Sequence, residues 1–289
     1  MLKNKELYPV EKMCYCLKIS KNAYYNWLNN KDAVKTKTSK THLMNRIREI
    51  FKENREIYGS PRIQKMLERE ELFYSRSYVA VLMKEMGLRS ILKRKFVVTT
   101  KSDHSYPIAK NVLNRDFESQ RIGEKWVSDI TYIRVKDDWN YLTTIMDLAD
   151  RKIIGWSLSE DMTVENTVWK AWISAISTRK TKANFIFHSD RGVQYAANKI
   201  TRMLQENIKI SQSMSRKGNC WDNATAESLF KTIKHECTNR YRFTSKEQLN
   251  ACLIEYISWY NTKRIHSTLG YKTPLEMQLE LENLINNAA

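Results

Sequence analysis

The chain has 289 residues and carries 49 Lys and Arg against 32 Asp and Glu, a net charge of +17. That length allows two or three modules. No apolar run approaches the roughly 20 residues of a membrane span, and Met1–Glu6 lacks the apolar centre of a signal peptide, so we expect a cytoplasmic, nucleoid-associated protein.

The positive charge is concentrated in the first part of the chain. Residues 1–120 hold 25 basic and 13 acidic residues (+12), and the remainder holds 24 and 19 (+5). This excess predicts a nucleic-acid-binding first part; the alternative is a basic protein without a polyanionic partner. The five cysteines form no Cys-x-x-Cys pair, which favours reduced thiols over disulfides or a zinc site.

The first predicted segment, residues 1–38, is helical. Two short helices between Val10 and Leu28, the second capped by Ser20, have the form of a helix-turn-helix. The alternative is a helical hairpin whose aromatic residues only form its core. Residues 31–41 are rich in Lys and Thr and are predicted to be a linker.

A second DNA-binding module of helix-turn-helix or winged-helix type is predicted over residues 39–90. Its expected helices are His42–Asn54, Arg62–Glu70 after an N-cap at Ser60, and a third from Ser75 or Ser77 to Met86. Residues 91–120 are predicted to be a basic linker. Within it, Lys93, Arg94 and Lys95 are expected to contact DNA phosphates, or to be only solvated linker residues.

Residues 121–280 have the alternating pattern of an α/β catalytic domain, followed by a C-terminal tail, 281–289. The expected elements are strands Trp126–Val135, Tyr141–Asp147 and Ile153–Leu158, helix Val164–Ser177, strand Phe185–His188, helix Ala196–Glu206, strand Ile208–Ser213, loop Met214–Asn223, helix Ala224–Cys237 and a last helix, Lys246–Tyr260. This order predicts a five-stranded mixed sheet with helices on its faces.

Three acidic residues are the candidate catalytic groups. Asp129 lies within an apolar strand, Asp190 follows the carboxyl end of another strand, and Glu227 opens a helix. An isolated strand aspartate is usually a surface or capping residue. Three carboxylates that converge, however, can bind a pair of hard divalent cations, which catalyse phosphoryl transfer.

Basic and aromatic residues near these acids are candidate DNA contacts. Lys231 and Lys234 share the helix face of Glu227 and would hold phosphates, unless they only form an i,i+4 salt bridge. Candidate contacts in the preceding loop are Arg216, Lys217, Trp221 and Asn223. His188 could orient Asp190 or approach the phosphate, or be a packed strand residue.

Several long motifs resemble bacterial insertion-sequence transposases of the DDE type. They are YGSPRI (58–63), LMKEMGL (82–88), HSDRGVQY (188–195), SMSRKGNCWDNA (213–224), ESLFKTIK (227–234) and YNTKRIHSTLGYKTP (260–274). The resemblance is to the second-frame catalytic product of the two-frame group, whose core is similar to retroviral integrases. It implies an RNase H-like fold in which Asp129, Asp190 and Glu227 bind Mg²⁺ or Mn²⁺, two ions in all. Lys234 falls on the family's basic position.

The resemblance also implies an activity and partners. The expected reaction is divalent-metal-dependent cleavage at element ends followed by strand transfer, without a covalent protein–DNA intermediate. The expected partners are terminal inverted repeats, target DNA, further copies of this chain on paired ends, and a first-frame protein or fusion. The rival functions are a DNA-binding regulator that does not cut, and a nuclease that does not join.

The spacing between the last two acids departs from the family. Between Asp190 and Glu227 lie 36 residues, one more than is usual. We expect the extra residue near Asn207–Ser211, in a loop or bulge. Inside the helix it would rotate Glu227 by ~100° away from the site.

Overall fold

A computed structural model describes residues 1, 4, 7–30, 33–90, 107–182, 184–206 and 210–287. The side chains at 26–27, 29–30, 33–39 and 285–287 are also outside this description. Lys93, Arg94 and Lys95 therefore lie outside the described residues. The chain divides into two compact units, Met1–Ser90 and Ile91–Ala289.

The first unit is helical, as predicted. Its helices are α1 (Val10–Cys16), α2 (Lys21–Asn30), α3 (Ala33–Glu53), α4 (Ser60–Arg69) and α5 (Arg76–Glu85). The predicted N-cap Ser20 is confirmed, because its Oγ accepts from Ala23 N at 3.0 Å. Of the two expected starts of the third helix, Ser75 is the N-cap, since its Oγ accepts from Tyr78 N at 3.2 Å. The buried core contains Leu43, Ile47, Ile50, Ile63, Leu67, Val79 and Leu82.

Two expectations in this unit are wrong. The linker predicted at 31–41 is helical from Ala33 onward, because no Gly or Pro interrupts the stretch up to Glu53. Ser60 is not the N-cap of α4 but its first residue; Gly59 occupies the cap position and Pro61 lies in the first turn. A composition rich in Lys and Thr therefore did not indicate a linker.

The second unit contains the predicted five-stranded mixed sheet. Its strands are β1 (Lys125–Val135), β2 (Asp138–Asp147), β3 (Ile153–Ser159), β4 (Phe185–Ser189) and β5 (Ile210–Met214), in the order β3-β2-β1-β4-β5. β1, β2 and β3 pair antiparallel, whereas β4 pairs parallel with β1 and β5. In the parallel register Val127 of β1 lies opposite His188, so the carboxyl end of β4 lies beside the first half of β1, close to Asp129.

Helices follow the strands in the expected alternation. A π-helical turn, Glu165–Trp169, leads into α6 (Lys170–Thr178), and later come α7 (Val193–Ala196), α8 (Asn198–Glu206), α9 (Ala224–Glu236), α10 (Lys246–Thr262) and α11 (Pro274–Asn287). The expectation that the helix beginning at Lys246 is the last is wrong, since α11 follows it. α11 also runs across residue 281, where a tail was expected to begin.

An aromatic core joins the sheet to α6. The Trp126 ring lies 4.7 Å from Phe185 and 5.8 Å from Trp172, between ring centroids. Gly155 lets β3 approach α6, since a Cβ there would stand 2.4 Å from the Ala171 carbonyl oxygen. The core thus fixes β1 and β4, the two strands that lead to the candidate aspartates.

A buried network of ion pairs holds the carboxyl end of β2, where Asp147 lies. Arg179 donates to Asp147 at 2.8 Å and to Asp150 at 2.6 Å, and all three side chains are almost completely buried. Arg179 also donates to Gln278 of α11 at 3.0 Å. None of the helices in the described ranges is long and apolar enough to cross a membrane.

Candidate active site

Asp129, Asp190 and Glu227 line one open cavity of about 670 Å³. β1 contributes Asp129, the turn after β4 contributes Asp190, and the first turn of α9 contributes Glu227. Lys231 and Lys234 line the same cavity. Elements separated by almost 100 residues thus bring the predicted acids and the two predicted lysines together.

Asp129 is held by two hydrogen bonds. Its Oδ1 accepts from Ile130 N at 2.9 Å, and its carboxylate also bonds the side chain of Asn223. Burial raises the pKa of Asp129 well above its ordinary value, and the charges of Asp190 and Glu227 raise it further. A cation in this cavity would therefore relieve carboxylate repulsion.

A tight turn fixes Asp190. Gly192 N donates to Asp190 Oδ1 at 2.9 Å. A Cβ on Gly192 would stand 2.9 Å from the same oxygen, closer than real Cβ contacts, so a side chain at this position would displace the Asp190 carboxylate. Tyr195, five residues after Asp190, is buried. Its hydroxyl lies 2.7 Å from Oγ of Ser128, the residue before Asp129.

Glu227 and its two lysines lie on one face of α9. Lys231 Nζ is 3.7 Å from Glu227 Oε2, so the predicted i,i+4 pair is present, with Lys231 about half exposed. The pKa of the Lys234 ammonium is lowered by burial, which outweighs the opposite effect of the Asp129 carboxylate. Because Glu227 lies in the cavity, the extra residue has not rotated it away; residues 207–209 are outside the described ranges.

The donor set suits a hard divalent cation in chemical type. Three carboxylates share the cavity, and Asn223 Oδ1, buried beside Asp129, has no hydrogen-bond partner in the described part of the chain. However, no group of three or more His, Cys, Asp or Glu side chains among the described residues is already arranged to hold a metal ion. The oxygen ligands are therefore of the type that such a cation prefers, but they are not yet close enough together to coordinate it.

The loop after β5 is held by Asp222. This buried carboxylate accepts from Arg216 N at 3.0 Å, from the Arg216 guanidinium at 2.8 Å twice, and from Arg115 Nε at 2.8 Å. These bonds hold the pKa of Asp222 far below its ordinary range, with Arg216 as the largest cause. The Arg216 guanidinium thus binds Asp222, but its side chain is still about half exposed and lines the cavity, so its contact with phosphate stays a prediction.

The other predicted loop contacts differ in exposure. Lys217 is exposed, and Trp221 is 69% exposed at the tip of the loop, so both can reach a ligand. Asn223 is buried, lines the cavity and is bonded to Asp129, so it supports that carboxylate, and its contact with DNA stays a prediction.

His188 does not orient Asp190. It is fully buried; its Nδ1 lies 2.8 Å from Ser213 Oγ and its Nε2 lies 3.3 Å from Ser215 Oγ, both on or beside β5. Burial lowers the pKa of His188 to about 4. Of the three roles considered, the packed strand residue agrees with these contacts.

Two groups around the site were missed from the sequence. Asp222 lay inside a quoted motif, but its partner Arg115 is 107 residues away. Glu236, at the end of α9, binds Arg264 through two 2.7 Å bonds and accepts from Tyr256 at 2.8 Å. Arg264 lies in the 260–274 motif, but nothing in the sequence indicated its contact with Glu236.

Comparison with protein families agrees with this division of the chain. A family described as "Integrase core domain" matches residues 119–220, and a second of the same description matches residues 208–274. A family described as "HTH-like domain" matches residues 39–96. The two integrase-core matches together span the cavity and all three acids.

Similar proteins come from bacterial insertion sequences. The chain is 38% identical over 263 residues to a Shigella sonnei protein named "Insertion element IS600 uncharacterized 31 kDa protein", covering 91% of this chain and 96% of that protein. It is 33% identical over 284 residues to the Escherichia coli K12 protein named "Transposase InsF for insertion sequence IS3A", covering 98% of this chain and 97% of that protein. Both relatives are matched almost from end to end.

Similar solved structures include retroviral integrases at low sequence identity. The HTLV-2 integrase catalytic core domain in complex with magnesium is 16% identical with a TM-score of 0.44, covering 55% of this chain and 97% of that chain. A simian T-cell lymphotropic virus intasome in complex with PP2A regulatory subunit B56 gamma is 13% identical with a TM-score of 0.49, covering 74% and 73%.

Proposed function

The chain belongs to the insertion-sequence transposases with an integrase core, the DDE type, and we propose that it cuts DNA at the ends of its element and joins them to target DNA. The observation that carries this proposal is the convergence of Asp129, Asp190 and Glu227 on one open cavity beside two lysines. The proposed reaction is divalent-metal-dependent phosphoryl transfer.

The three acids are proposed to hold the metal. Two bound Mg²⁺ or Mn²⁺ ions would supply Lewis acidity that activates a water or a 3′-hydroxyl and stabilises the leaving oxygen. Asp129, Asp190 and Glu227 would be their ligands. Asn223 keeps the Asp129 carboxylate in place, and the Gly192 amide does the same for Asp190.

The lysines of α9 are proposed to position DNA. Lys231 and Lys234 lie in the cavity beside the acids, where an ammonium can bind a phosphate oxygen. The exposed Lys217 and Trp221 extend this surface along the loop. Neither a serine nor a tyrosine nucleophile is required, because the attacking oxygen comes from water or from DNA.

The test is a nicking and joining assay on a denaturing gel. Full-length protein is incubated with its element's terminal DNA and Mg²⁺ or Mn²⁺. We expect metal-dependent nicks and joined products that are lost in Asp190→Asn and in Glu227→Gln, while end binding stays within about threefold because only one carboxylate is neutralised. Glu206→Gln, an exposed acid on α8, is the matched control and should keep activity.

Three results would count against the proposal. Metal-dependent nicking by Asp190→Asn would contradict the assignment of the triad. End binding without nicking, even after addition of the first-frame protein that we propose as a partner, would favour a DNA-binding regulator. Nicking without joined products would instead indicate a nuclease.

We further propose that several copies of the chain act together on paired element ends. Analytical ultracentrifugation of the protein on paired end DNA tests this oligomer.

A further inference from the structure

Two aromatic side chains are exposed at the hairpin end of β1 and β2. Tyr132 is 45% exposed and Trp139 is 46% exposed. Their ring centroids are 5.0 Å apart and the ring planes meet at 83°, so they form an edge-to-face corner. Exposed aromatic surface of this kind is unfavourable in water and often marks a binding site.

This corner adjoins the cavity of the acids. Tyr132 lies three residues after Asp129 on β1 and itself lines the cavity. By contrast Trp126, on the same strand, is completely buried in the core. Tyr132 and Trp139 are therefore not core residues of the sheet, and their rings are available to a ligand.

Cations accompany both rings. Lys234 Nζ lies 4.8 Å from the centroid of the Tyr132 ring, and Arg134 Cζ lies 5.9 Å from the centroid of the Trp139 ring. Arg134 also contacts Asp137 at 3.4 Å, but both side chains are well exposed, so a phosphate can replace that carboxylate at little cost. Exposed rings flanked by cations are the usual means of binding a nucleotide base and its phosphate.

The geometry suits an unpaired base better than a duplex. Bases within a duplex stack on each other and offer their faces to no protein ring, whereas an unstacked base has a free face. We propose that Tyr132 and Trp139 form a stacking platform for an unpaired nucleotide of the DNA that enters the cavity. This inference rests on the proposed function, since it names the form of DNA that the same cavity accepts.

Single-strand binding tests the platform without catalysis. Binding of fluorescein-labelled dT20 and of a blunt 20-base-pair duplex is measured by anisotropy with full-length protein in EDTA. We expect the Tyr132→Leu/Trp139→Leu variant to bind dT20 roughly five- to 150-fold more weakly, the factor equivalent to ~1–3 kcal/mol of stacking per base. Duplex binding should change less than about twofold, and Tyr132→Phe/Trp139→Phe, which keeps both rings, should retain dT20 binding.

Photocrosslinking gives a second measurement that does not depend on overall affinity. A dT20 carrying one 5-iododeoxyuridine is irradiated with the unchanged protein, and the adduct is mapped by peptide mass spectrometry. We expect adducts on Tyr132 or Trp139. Mapping only to residues elsewhere, equal losses for dT20 and duplex, or equal losses in the Leu and Phe variants would overturn the platform. Because EDTA prevents cleavage, none of these results depends on whether the acids are catalytic.

Discussion

The position of Asp190 depends on the absence of a side chain two residues later. The Gly192 amide binds the Asp190 carboxylate, and a Cβ at Gly192 would collide with the same oxygen. We predict that Gly192→Ala lowers the nicking rate about 10²-fold, because a displacement of order 1 Å is enough for such a loss. Its melting temperature should change little, since the turn is at the surface of the cavity.

The control for the added methyl group is Gly59→Ala, where the nearest atom to a new Cβ is Ser90 Cβ at 3.4 Å. Nicking rates and melting temperatures are compared for both variants and the unchanged protein. If Gly192→Ala cuts as fast as Gly59→Ala while Asp190→Asn is inactive, the turn does not position the carboxylate.

Single residues also explain why part of the site could be predicted and part could not. Asp129, Asp190 and Glu227 were found because an apolar strand, the end of another strand and a helix start are local patterns, and the α/β order predicts that they converge. The actual partners of Arg216 and His188 are Asp222, Ser213 and Ser215. No local pattern distinguishes an arginine that binds phosphate from one that binds a buried carboxylate.

Among the elements, α9 matters most because it carries Glu227 and both cavity lysines. Its far end is held by the Glu236–Arg264 pair, and Arg264 in turn stacks on Tyr260, with its Cζ 5.3 Å from the ring centroid. Removing Arg264 would leave the Glu236 carboxylate buried without its main partner. This pair joins the catalytic helix to the segment that follows α10.

We predict that Arg264→Met lowers the free energy of unfolding by ~3–5 kcal/mol, the usual cost of breaking a buried ion pair. Urea denaturation followed by circular dichroism measures it. Adding Glu236→Gln to Arg264→Met should recover part of the loss, because the uncompensated charge is then gone. Lys246→Met, which breaks a half-exposed pair with Glu160, is the control and should change stability little. A double variant no more stable than Arg264→Met would contradict the account.

Elements stabilised by distant partners were the ones that the sequence did not predict. α11 bears Leu279 and Leu284 in exposed positions, so its apolar periodicity is weak, yet its Gln278 contacts Arg179 of the buried ion network. The start of α3 at Ala33 was missed because a composition rich in Lys and Thr was interpreted as a linker, although no Gly or Pro interrupts this stretch. The five strands were predicted because alternation and apolar runs are local signals.

At the scale of the whole molecule, positive charge is shared between the two units. Residues 1–90 hold 19 Lys and Arg against 10 Asp and Glu (+9), which leaves 30 against 22 (+8) for residues 91–289. Both units should therefore bind DNA with strong salt dependence. Charge alone does not read sequence, so recognition of the element's ends requires contacts with base edges.

We predict that recognition resides in the first unit, whose match to an HTH-like family extends over residues 39–96. A 91–289 fragment contains the whole sheet and its helices and should fold, as judged by cooperative thermal unfolding. Its affinities for element-end and unrelated duplexes, measured by anisotropy at one salt concentration, should be nearly equal. The full-length protein should prefer the element end by on the order of 10³ or more. If the fragment keeps that preference, the bases are read by the catalytic unit, and the helical unit contributes mainly electrostatic attraction.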